Sequence, residues 1–166
     1  MSYGAYRSLS SSENALYSRL LDEGIVPIAS TGNDGSAEPH LPSGSPNVLA
    51  VGASTDDDTV WMQSNFGKVD LVAPSVGTGI YLPDGSFVSQ DGATSLSTPV
   101  VAAVVAAAAW RYPNLRGRAL RDHVLARVDK VPESGGKAGA GRVNLCRAVS
   151  DQPDTDCPLD RRFRPV

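Results

Sequence analysis

The sequence is poor in cysteine and aromatic residues, with two cysteines and an aromatic fraction of 6% in 166 residues. Its longest apolar run, Val100–Trp110, is well short of the roughly 18 residues that a membrane-spanning helix needs. The formal net charge of −3 argues against a nucleic-acid partner. The first residues have no basic segment followed by an apolar core, so they do not predict a signal peptide. We expect neither a membrane span nor nucleic-acid binding.

The two cysteines, Cys146 and Cys157, both lie near the C-terminus. Neither belongs to a CxxC pair or has a histidine nearby, which argues against a zinc site. A small disulfide that tethers the C-terminal residues and a pair of free thiols are both compatible with the sequence. We therefore expect no metal site built on cysteine.

The first half of the chain alternates between a helix pattern and short apolar segments. A helix is predicted from Ser10 to Leu21, with capping serines at its start and Gly24 as the residue that ends it. Buried strands are predicted over 25–30, 47–54 and 69–74, although Pro27 weakens the first. This order predicts an α/β fold with a mainly parallel sheet.

The second half begins with a hairpin and continues with helices. A PDG turn predicts a hairpin over 80–90. The Val/Ala-rich segment after "TSLSTP" has no polar face for about ten residues, which predicts a helix buried all round. "NLRGRALRDHVLARV" predicts an amphipathic helix, and the segment before Ser150 a short final one. We expect one domain over residues 1–150 and a loosely ordered tail over 151–166.

Four motifs in order carry a resemblance to a known family. They are "IVPIASTGNDG", "LPSGSPNVLAVGAS" followed by "SNFGKVDLVAP", "GATSLSTPVVAA" and "GAGRVNLCRAV". Together they resemble the subtilisin-like serine proteases, the subtilases of peptidase family S8, over Met1 to about Val149. The resemblance implies a three-layer α/β/α fold with a mainly parallel sheet, incomplete at its N-terminal side. It also implies a serine endopeptidase that acts on polypeptides, secreted or at the cell surface.

The resemblance makes Ser95 the catalytic nucleophile. This serine precedes the apolar helix, where free N–H groups and the helix dipole favour developing negative charge. Pro99 suits the first helical turn because its missing N–H would have no partner there. The local sequence alone favours a plain capping role for Ser95, Ser97 or Thr98. With the ordered motifs, capping stays the expected role only for the last two.

Asn33, in "STGNDG", corresponds by resemblance to the asparagine that donates its side-chain amide to the oxyanion hole. Its partner there is the backbone N–H of the nucleophile. The alternative is an ordinary asparagine in a glycine-flanked turn, which is common.

By the same resemblance, two segments bind an extended peptide substrate: Ser2, Tyr3 and Gly4 as a pairing edge, and Ser30, Thr31 and Gly32 as the facing wall of the side-chain pocket. His40 corresponds to a position at the back of that pocket, where it would narrow the pocket and add a titratable group. An exposed loop histidine is the plainer alternative. Pro42 is expected to be cis, as in several family members.

Several features depart from the family pattern. Ala93 replaces a glycine before the nucleophile and is expected to crowd the turn. The segments that carry the family's catalytic Asp and His do not occur in the sequence. His40 follows the Asn33 motif, on the wrong side to be the base, and His123 reads as a surface or packing residue. The acidic run 56–58 reads as a solvated turn.

These departures predict that the chain is the C-terminal half of a catalytic domain and is inactive by itself. We expect no cofactor or metal in this chain, with calcium left open for the full domain. Two alternatives stay open: a degenerate subtilase that binds peptides without cleaving them, and one half of a two-chain protease. The second implies the missing N-terminal half as a partner and exposed apolar surface on this chain.

Overall fold

The computed structural model describes residues 1–89, 91–131 and 134–151. Four helices and five strands form in these ranges. In chain order they are α1 (Ser11–Asp22), β1 (Ile28–Ser30), β2 (Leu49–Ser54), β3 (Leu71–Pro74), β4 (Gly79–Tyr81), β5 (Phe87–Ser89), α2 (Thr94–Arg111), α3 (Gly117–Leu125) and α4 (Leu145–Val149). The expected loose tail over 151–166 lies outside the described residues except for Asp151.

The central sheet is parallel, with strand order β1-β2-β3. Ala29 is in register with Ala50, and Gly52 with Val72. Every residue of β2 is buried, as expected for the middle strand of a parallel sheet covered on both faces. The predicted α/β class and mainly parallel sheet are confirmed.

The first strand is shorter than its apolar run predicts. Ile25 is half exposed, and β1 begins only at Ile28. Pro27 has no N–H to donate, although its carbonyl accepts from the Leu49 N–H at 2.8 Å. The prediction of a strand from residue 25 is wrong there, because proline cannot extend the ladder on both sides. The second and third strands also begin two residues later than predicted.

Helix α1 begins with the capping box that its sequence suggests. The Ser10 hydroxyl accepts from the Glu13 N–H at 3.2 Å, and the Glu13 carboxylate accepts from the Ser10 N–H. The helix ends before Gly24, which adopts a φ of +91°. This left-handed conformation is accessible to glycine at little cost, so the predicted stop is confirmed.

Helix α2 packs on the sheet and forms the core with it. Its inward side chains include Val101, Val104, Val105 and Ala108, which join Leu49, Val51, Leu71 and Ala73 of the strands together with residues of α3 and α4. The opposite face of α2 is exposed, and its residues are Pro99, Val100, Ala102, Ala103, Ala106 and Trp110. The prediction that this helix is buried all round is therefore wrong for this chain. Small apolar residues occupy both faces, but only one face packs against the sheet.

The hairpin of β4 and β5 forms as predicted and is antiparallel. Ile80, Tyr81 and Phe87 are exposed on it. The predicted end of the hairpin at Gln90 lies outside the described residues. No helix among the described residues has both the length and the apolarity needed to cross a bilayer.

The C-terminal elements close the core. In α3, Leu120 and Val124 are buried, as its amphipathic pattern predicts. The short α4 is capped by Asn144, whose side chain accepts from the Arg147 N–H at 3.0 Å. Cys146 in α4 is disulfide-bonded, which excludes the alternative of two free thiols. Cys157 lies outside the described residues.

Candidate active site

Ser95 is the second residue of α2, whose first turn bonds to the carboxyl end of β3 through the Ser97 hydroxyl. It is partly exposed, and its main-chain N–H donates to none of the described residues. On the other side, the Ser2 hydroxyl donates to the Ser95 carbonyl at 3.0 Å. Ser95 thus combines an accessible hydroxyl with a free N–H at the positive end of an 18-residue helix.

Asn33 lies against the same helix end. Its Oδ1 accepts from the Thr94 N–H and from the Thr94 hydroxyl, both at 2.9 Å. Because a main-chain N–H can only donate, the atom facing Thr94 must be the carboxamide oxygen. The Asn33 Nδ2 group is therefore turned away from Thr94, and it donates to none of the described residues. Two unused donors, this amide and the Ser95 N–H, flank the start of α2.

Thr94 is a site residue that sequence reasoning missed. Its side chain is buried, and its hydroxyl donates to Asn33 while accepting from the Gly32 N–H at 3.2 Å. One threonine thus fixes both the carboxamide of Asn33 and the backbone just before it. The signal available in the sequence was its position beside Ser95 in "GATS".

The N-terminus of α2 is capped by a residue from another part of the chain. Ala93, the N-cap, has no capping side chain and an extended backbone with φ −165°. The Ser75 hydroxyl accepts from the Ala93 N–H and donates to the Ala93 carbonyl at 2.8 Å. Since extended backbone suits any residue, the expectation that Ala93 crowds this turn is wrong.

The two residues expected to cap α2 do not cap it. The Ser97 hydroxyl donates to the Ala73 carbonyl of β3 at 2.8 Å. The Thr98 hydroxyl donates back to the Thr94 carbonyl, also at 2.8 Å. Both side chains are buried inside the first turns of the helix and bond to carbonyls, whereas a cap must accept from N–H groups. The capping prediction is wrong for both residues.

Asn65 organises the loop that carries Asn33, and it too was missed. It is 1% exposed. Its Oδ1 accepts from the N–H groups of Asp34 and Ser36, each at 3.0 Å. Its Nδ2 donates to the Thr31 carbonyl at 2.9 Å and to the Tyr6 hydroxyl at 2.7 Å. All four hydrogen-bonding positions of the amide are used, so one buried side chain holds both flanks of Asn33.

Tyr6 links this loop to the N-terminal segment. Its hydroxyl donates to the Asp34 carboxylate at 2.5 Å. This hydrogen bond to an anion raises the pKa of Tyr6 above its ordinary 10.0, and desolvation contributes a smaller rise. The phenol therefore stays protonated at neutral pH and keeps its donor role in the network.

Ser2, Tyr3 and Gly4 are exposed, and the Ser2 hydroxyl contacts Ser95. Their three N–H groups donate to no described residue. The next residue, Ala5, pairs in antiparallel fashion with Leu41, both hydrogen bonds being 2.9 Å long. Ser2–Gly4 is thus an exposed segment with unpaired N–H groups that leads into the single bridge at Ala5.

Ser30 is the last residue of β1, and Thr31 and Gly32 follow it; the Gly32 N–H donates to the Thr94 hydroxyl at the start of α2. All three are buried, and the Ser30 N–H donates to the Met1 carbonyl at 3.1 Å. Gly32 has a φ of +102°, and a Cβ there would lie 2.4 Å from Asn65 Nδ2. Glycine is required at this position by both the backbone conformation and the contact.

His40 lies between these two segments, partly buried. A Cβ built on Gly4 would lie 2.2 Å from His40 Cε1, and one built on Gly32 would lie 3.4 Å from His40 Cγ. The Tyr6 ring packs edge-on against the imidazole, with a centroid distance of 5.1 Å. His40 Nδ1 is buried without a hydrogen-bond partner. The loop around it contains the expected cis peptide at Leu41–Pro42.

His123, the other histidine, packs away from Ser95. Its Nε2 is 2.8 Å from the Ala148 carbonyl, and its ring lies 4.7 Å from the Tyr112 ring. Both histidines are in the described part of the chain, and neither hydrogen-bonds to Ser95. The site thus brings together the Ser95 hydroxyl, the Ser95 N–H and the Asn33 amide, and neither histidine bonds to Ser95.

The acidic run 56–58 lies away from this site, and Asp58 forms an ion pair with Arg142. The described residues contain no group of three or more His, Cys, Asp or Glu side chains arranged to hold a metal ion.

Comparison with known proteins identifies the family. The model of the subtilase family, peptidase S8, matches residues 1–142. The chain belongs to the subtilase family. Halolysin of Haloferax mediterranei is 32% identical over 127 residues, which cover 76% of this chain and 24% of that protein. The halolysin-like extracellular serine protease Nep of Natrialba magadii is 31% identical over 132 residues, 79% of this chain and 24% of that protein.

Solved subtilase structures match the fold. The self-cleaved protease domain of PatA superposes with a TM-score of 0.75 at 25% identity, covering 90% of this chain and 59% of that chain. The chain therefore spans about a quarter of these curated subtilase relatives and about three fifths of this solved domain. The subtilisin-like fold is confirmed, and it is incomplete relative to this neighbour.

Proposed function

We propose that this chain supplies the nucleophile and the oxyanion hole of a subtilisin-like serine endopeptidase. The observation that carries the proposal is the fixed carboxamide of Asn33, whose oxygen is held by Thr94 while its Nδ2 stays unused next to the free Ser95 N–H. Donors fixed in this way stabilise an oxyanion without reorganising during the reaction. Family membership supports the assignment of serine protease chemistry.

In the proposed reaction, the Ser95 hydroxyl oxygen attacks the carbonyl carbon of the scissile peptide bond. A base takes the hydroxyl proton and later delivers it to the departing amine. The negative charge that develops on the carbonyl oxygen is accepted by the Ser95 N–H and by Asn33 Nδ2. Water then attacks the acyl-enzyme in the same way and releases Ser95. All these groups are protein groups, so the reaction needs no cofactor.

The general base is proposed to come from the rest of the domain. Neither histidine of this chain is bonded to Ser95, and the chain covers 59% of the PatA protease domain. The exposed apolar face of α2, on the helix that carries Ser95, is where we place the contact with the remaining N-terminal half. Alone, the chain should keep only the residual catalysis of an oxyanion hole without its base. The relationship to an extracellular protease supports secretion.

A fluorophosphonate probe tests the proposal, because it reacts covalently with an activated serine. We expect labelling at Ser95 when the chain is part of its complete protein, and none when the chain is isolated. Ser95→Ala should abolish the labelling, whereas Ser89→Ala, in the exposed hairpin, should leave it intact. If the complete protein is folded and is not labelled, the result would contradict the proposed endopeptidase activity and favour a peptide-binding module without catalysis.

A further inference from the structure

The segment that leads into α2 contains one of the three Asp–Gly pairs of this chain. The pairs are Asp34–Gly35, Asp84–Gly85 and Asp91–Gly92. An Asp–Gly peptide can rearrange without an enzyme, because glycine has no side chain to shield its main-chain nitrogen. That nitrogen attacks the side-chain carboxyl of the aspartate. A hydrogen bond on the nitrogen or on the carboxyl opposes the attack, since the bond must first be broken.

The first pair is restrained on both groups. The Gly35 N–H donates to the Gln63 carbonyl at 2.9 Å. The Asp34 carboxylate accepts from the Tyr6 hydroxyl at 2.5 Å, and the Asp34 N–H donates to Asn65 Oδ1 at 3.0 Å. The nitrogen and the carboxyl of this pair cannot approach each other unless both hydrogen bonds break.

The second pair, in the turn of the hairpin, is restrained in the same way. The Gly85 N–H donates to the Leu82 carbonyl at 2.9 Å. The Asp84 carboxylate accepts from the Ser86 hydroxyl at 2.6 Å and from the Ser86 N–H at 2.9 Å. These hydrogen bonds lower the pKa of Asp84 below its ordinary 3.8. The attack needs a protonated carboxyl from which water can leave, so Asp84 is protected although it is exposed.

The third pair has neither restraint. Asp91 is exposed, and its carboxylate accepts from no described residue and forms no ion pair with one. The Gly92 N–H likewise donates to nothing within 1–89, 91–131 and 134–151. Asp91–Gly92 is therefore the pair in which the attacking nitrogen and the attacked carboxyl are both without a described partner.

The turn at this pair has no room for an additional main-chain atom. Gly92 has a φ of +119°, and a Cβ built on it would lie 2.8 Å from Trp61 Cε2. The next residue, Ala93, is held by the Ser75 hydroxyl at both its N–H and its carbonyl. The rearrangement inserts one methylene, about 1.5 Å of chain, between Asp91 and Gly92. Because Trp61 and Ser75 fix the turn, the added length must displace the start of α2.

We propose that Asp91 is a site of spontaneous isoaspartate formation, and that this modification inactivates the peptidase. The Gly92 nitrogen bonds to Asp91 Cγ, and its proton and the carboxyl hydroxyl leave as water, which gives a cyclic succinimide. Water then adds to the former main-chain carbonyl and opens the ring, so the chain runs through Cγ. One water leaves and one enters, and no other reactant is needed.

The loss of activity rests on the proposed peptidase function, whereas the rearrangement does not. Ser95 follows Asp91 by four positions. A displacement of about 1 Å at a reacting group can lower the rate about 10²-fold. The modified molecules should therefore contribute almost nothing to the measured activity.

The first experiment measures the rearrangement alone. The complete protein with Ser95→Ala, which cannot cleave itself, is incubated warm at mildly acidic pH. Isoaspartate is then quantified at each Asp–Gly pair by peptide mass spectrometry with electron-transfer fragmentation. It should form at Asp91 at least about fivefold faster than at Asp34 or Asp84, the factor expected for one ordinary hydrogen bond. In urea-unfolded protein, the three rates should become similar.

The second experiment follows activity in the otherwise unchanged protein. Peptidase activity and fluorophosphonate labelling of intact molecules should fall in proportion to the isoaspartate at Asp91. Asp91→Glu should keep its activity longer, because the longer side chain must close a larger ring and does so far more slowly. Asp84→Glu is the matched control and should lose activity as fast as the wild type.

Isoaspartate that forms at Asp91 no faster than at Asp84 in the folded protein would overturn the assignment of the site. Activity that declines equally in the wild type and in Asp91→Glu would overturn the inactivation. If the fresh, folded complete protein neither cleaves peptides nor is labelled, the proposed function fails and the inactivation fails with it. The mass spectrometry still decides whether Asp91 rearranges.

Discussion

The Thr94 main chain and side chain both donate to the Asn33 carboxamide oxygen, each at 2.9 Å. Sixty-one positions separate the two residues in sequence, yet this contact sets the direction of the Asn33 amide. The orientation of one candidate oxyanion donor therefore depends on the buried Thr94, next to Ser95.

Thr94→Val removes the hydroxyl and keeps the shape. It should lower kcat of the complete protein by about tenfold with little change in KM, because the Asn33 amide is less well aimed at the transition state. Asn33→Ala should lower kcat further, by about 10²–10³-fold, since it removes the donor itself. Steady-state kinetics on a good peptide substrate measures both.

Thr98→Val is the matched control for that experiment. It makes the same change one helical turn later, at a buried hydroxyl that donates only to the Thr94 carbonyl. It should leave kcat within about twofold of the wild type. An equal loss of kcat in both valine variants would contradict the role of Thr94 in orienting Asn33.

Asn65→Ala should destabilise the chain by about 2–3 kcal/mol, because it leaves buried partners on both sides of the Asn33 loop without a hydrogen bond. Urea unfolding of the chain measures the loss. Asn47→Ala is the control, since Asn47 is less buried and bonds mainly to Asn14 and Arg118. If Asn65→Ala is as stable as Asn47→Ala, the result would contradict the role of Asn65 in organising the Asn33 loop.

Glu13 should make the stability of α1 depend on acid pH. The Arg7 guanidinium and the Ser10 hydroxyl and N–H lower the pKa of Glu13 from 4.5 to about 2. Because this pKa is depressed in the folded state, the stabilisation is fully present above about pH 4.5 and is lost as the pH falls towards 2. The urea midpoint should fall over that window in the wild type.

Glu13→Gln should flatten that part of the profile, by a small amount because the pair is solvent-exposed. Glu38→Gln, which removes a carboxylate that forms no ion pair with a described residue, should leave the profile unchanged. Identical pH profiles for the wild type and Glu13→Gln would contradict the prediction.

Ala103→Glu tests the exposed face of α2. In the isolated chain it should cost little stability, because Ala103 is exposed there. In the complete protein it should reduce folded, active enzyme severely, because it buries a charge in an apolar contact. Ala119→Glu, on the exposed face of α3, is the control and should be tolerated in both forms. Full activity of the Ala103 variant would contradict burial of this face.

The sequence alone determined the class of fold and the family. Apolar segments at regular spacing predict a parallel sheet, because a strand buried on both faces is apolar along its whole length and its own sequence shows this. The ordered motifs identified Ser95 and Asn33 as candidates. The predicted helix over 10–21 differs from α1 by one residue at each end, since capping is a short-range interaction that neighbouring residues encode.

Only the tertiary structure decided which side chains serve the site. Thr94, Ser75 and Asn65 act through partners far away in sequence, and no local pattern distinguishes them from other polar loop residues. The sequence also did not show which face of α2 is exposed, because a helix of valine and alanine has no periodicity that indicates which side packs. The position of His40 between Gly4 and Gly32 depends on three separate segments meeting, and that meeting is a property of the packed chain.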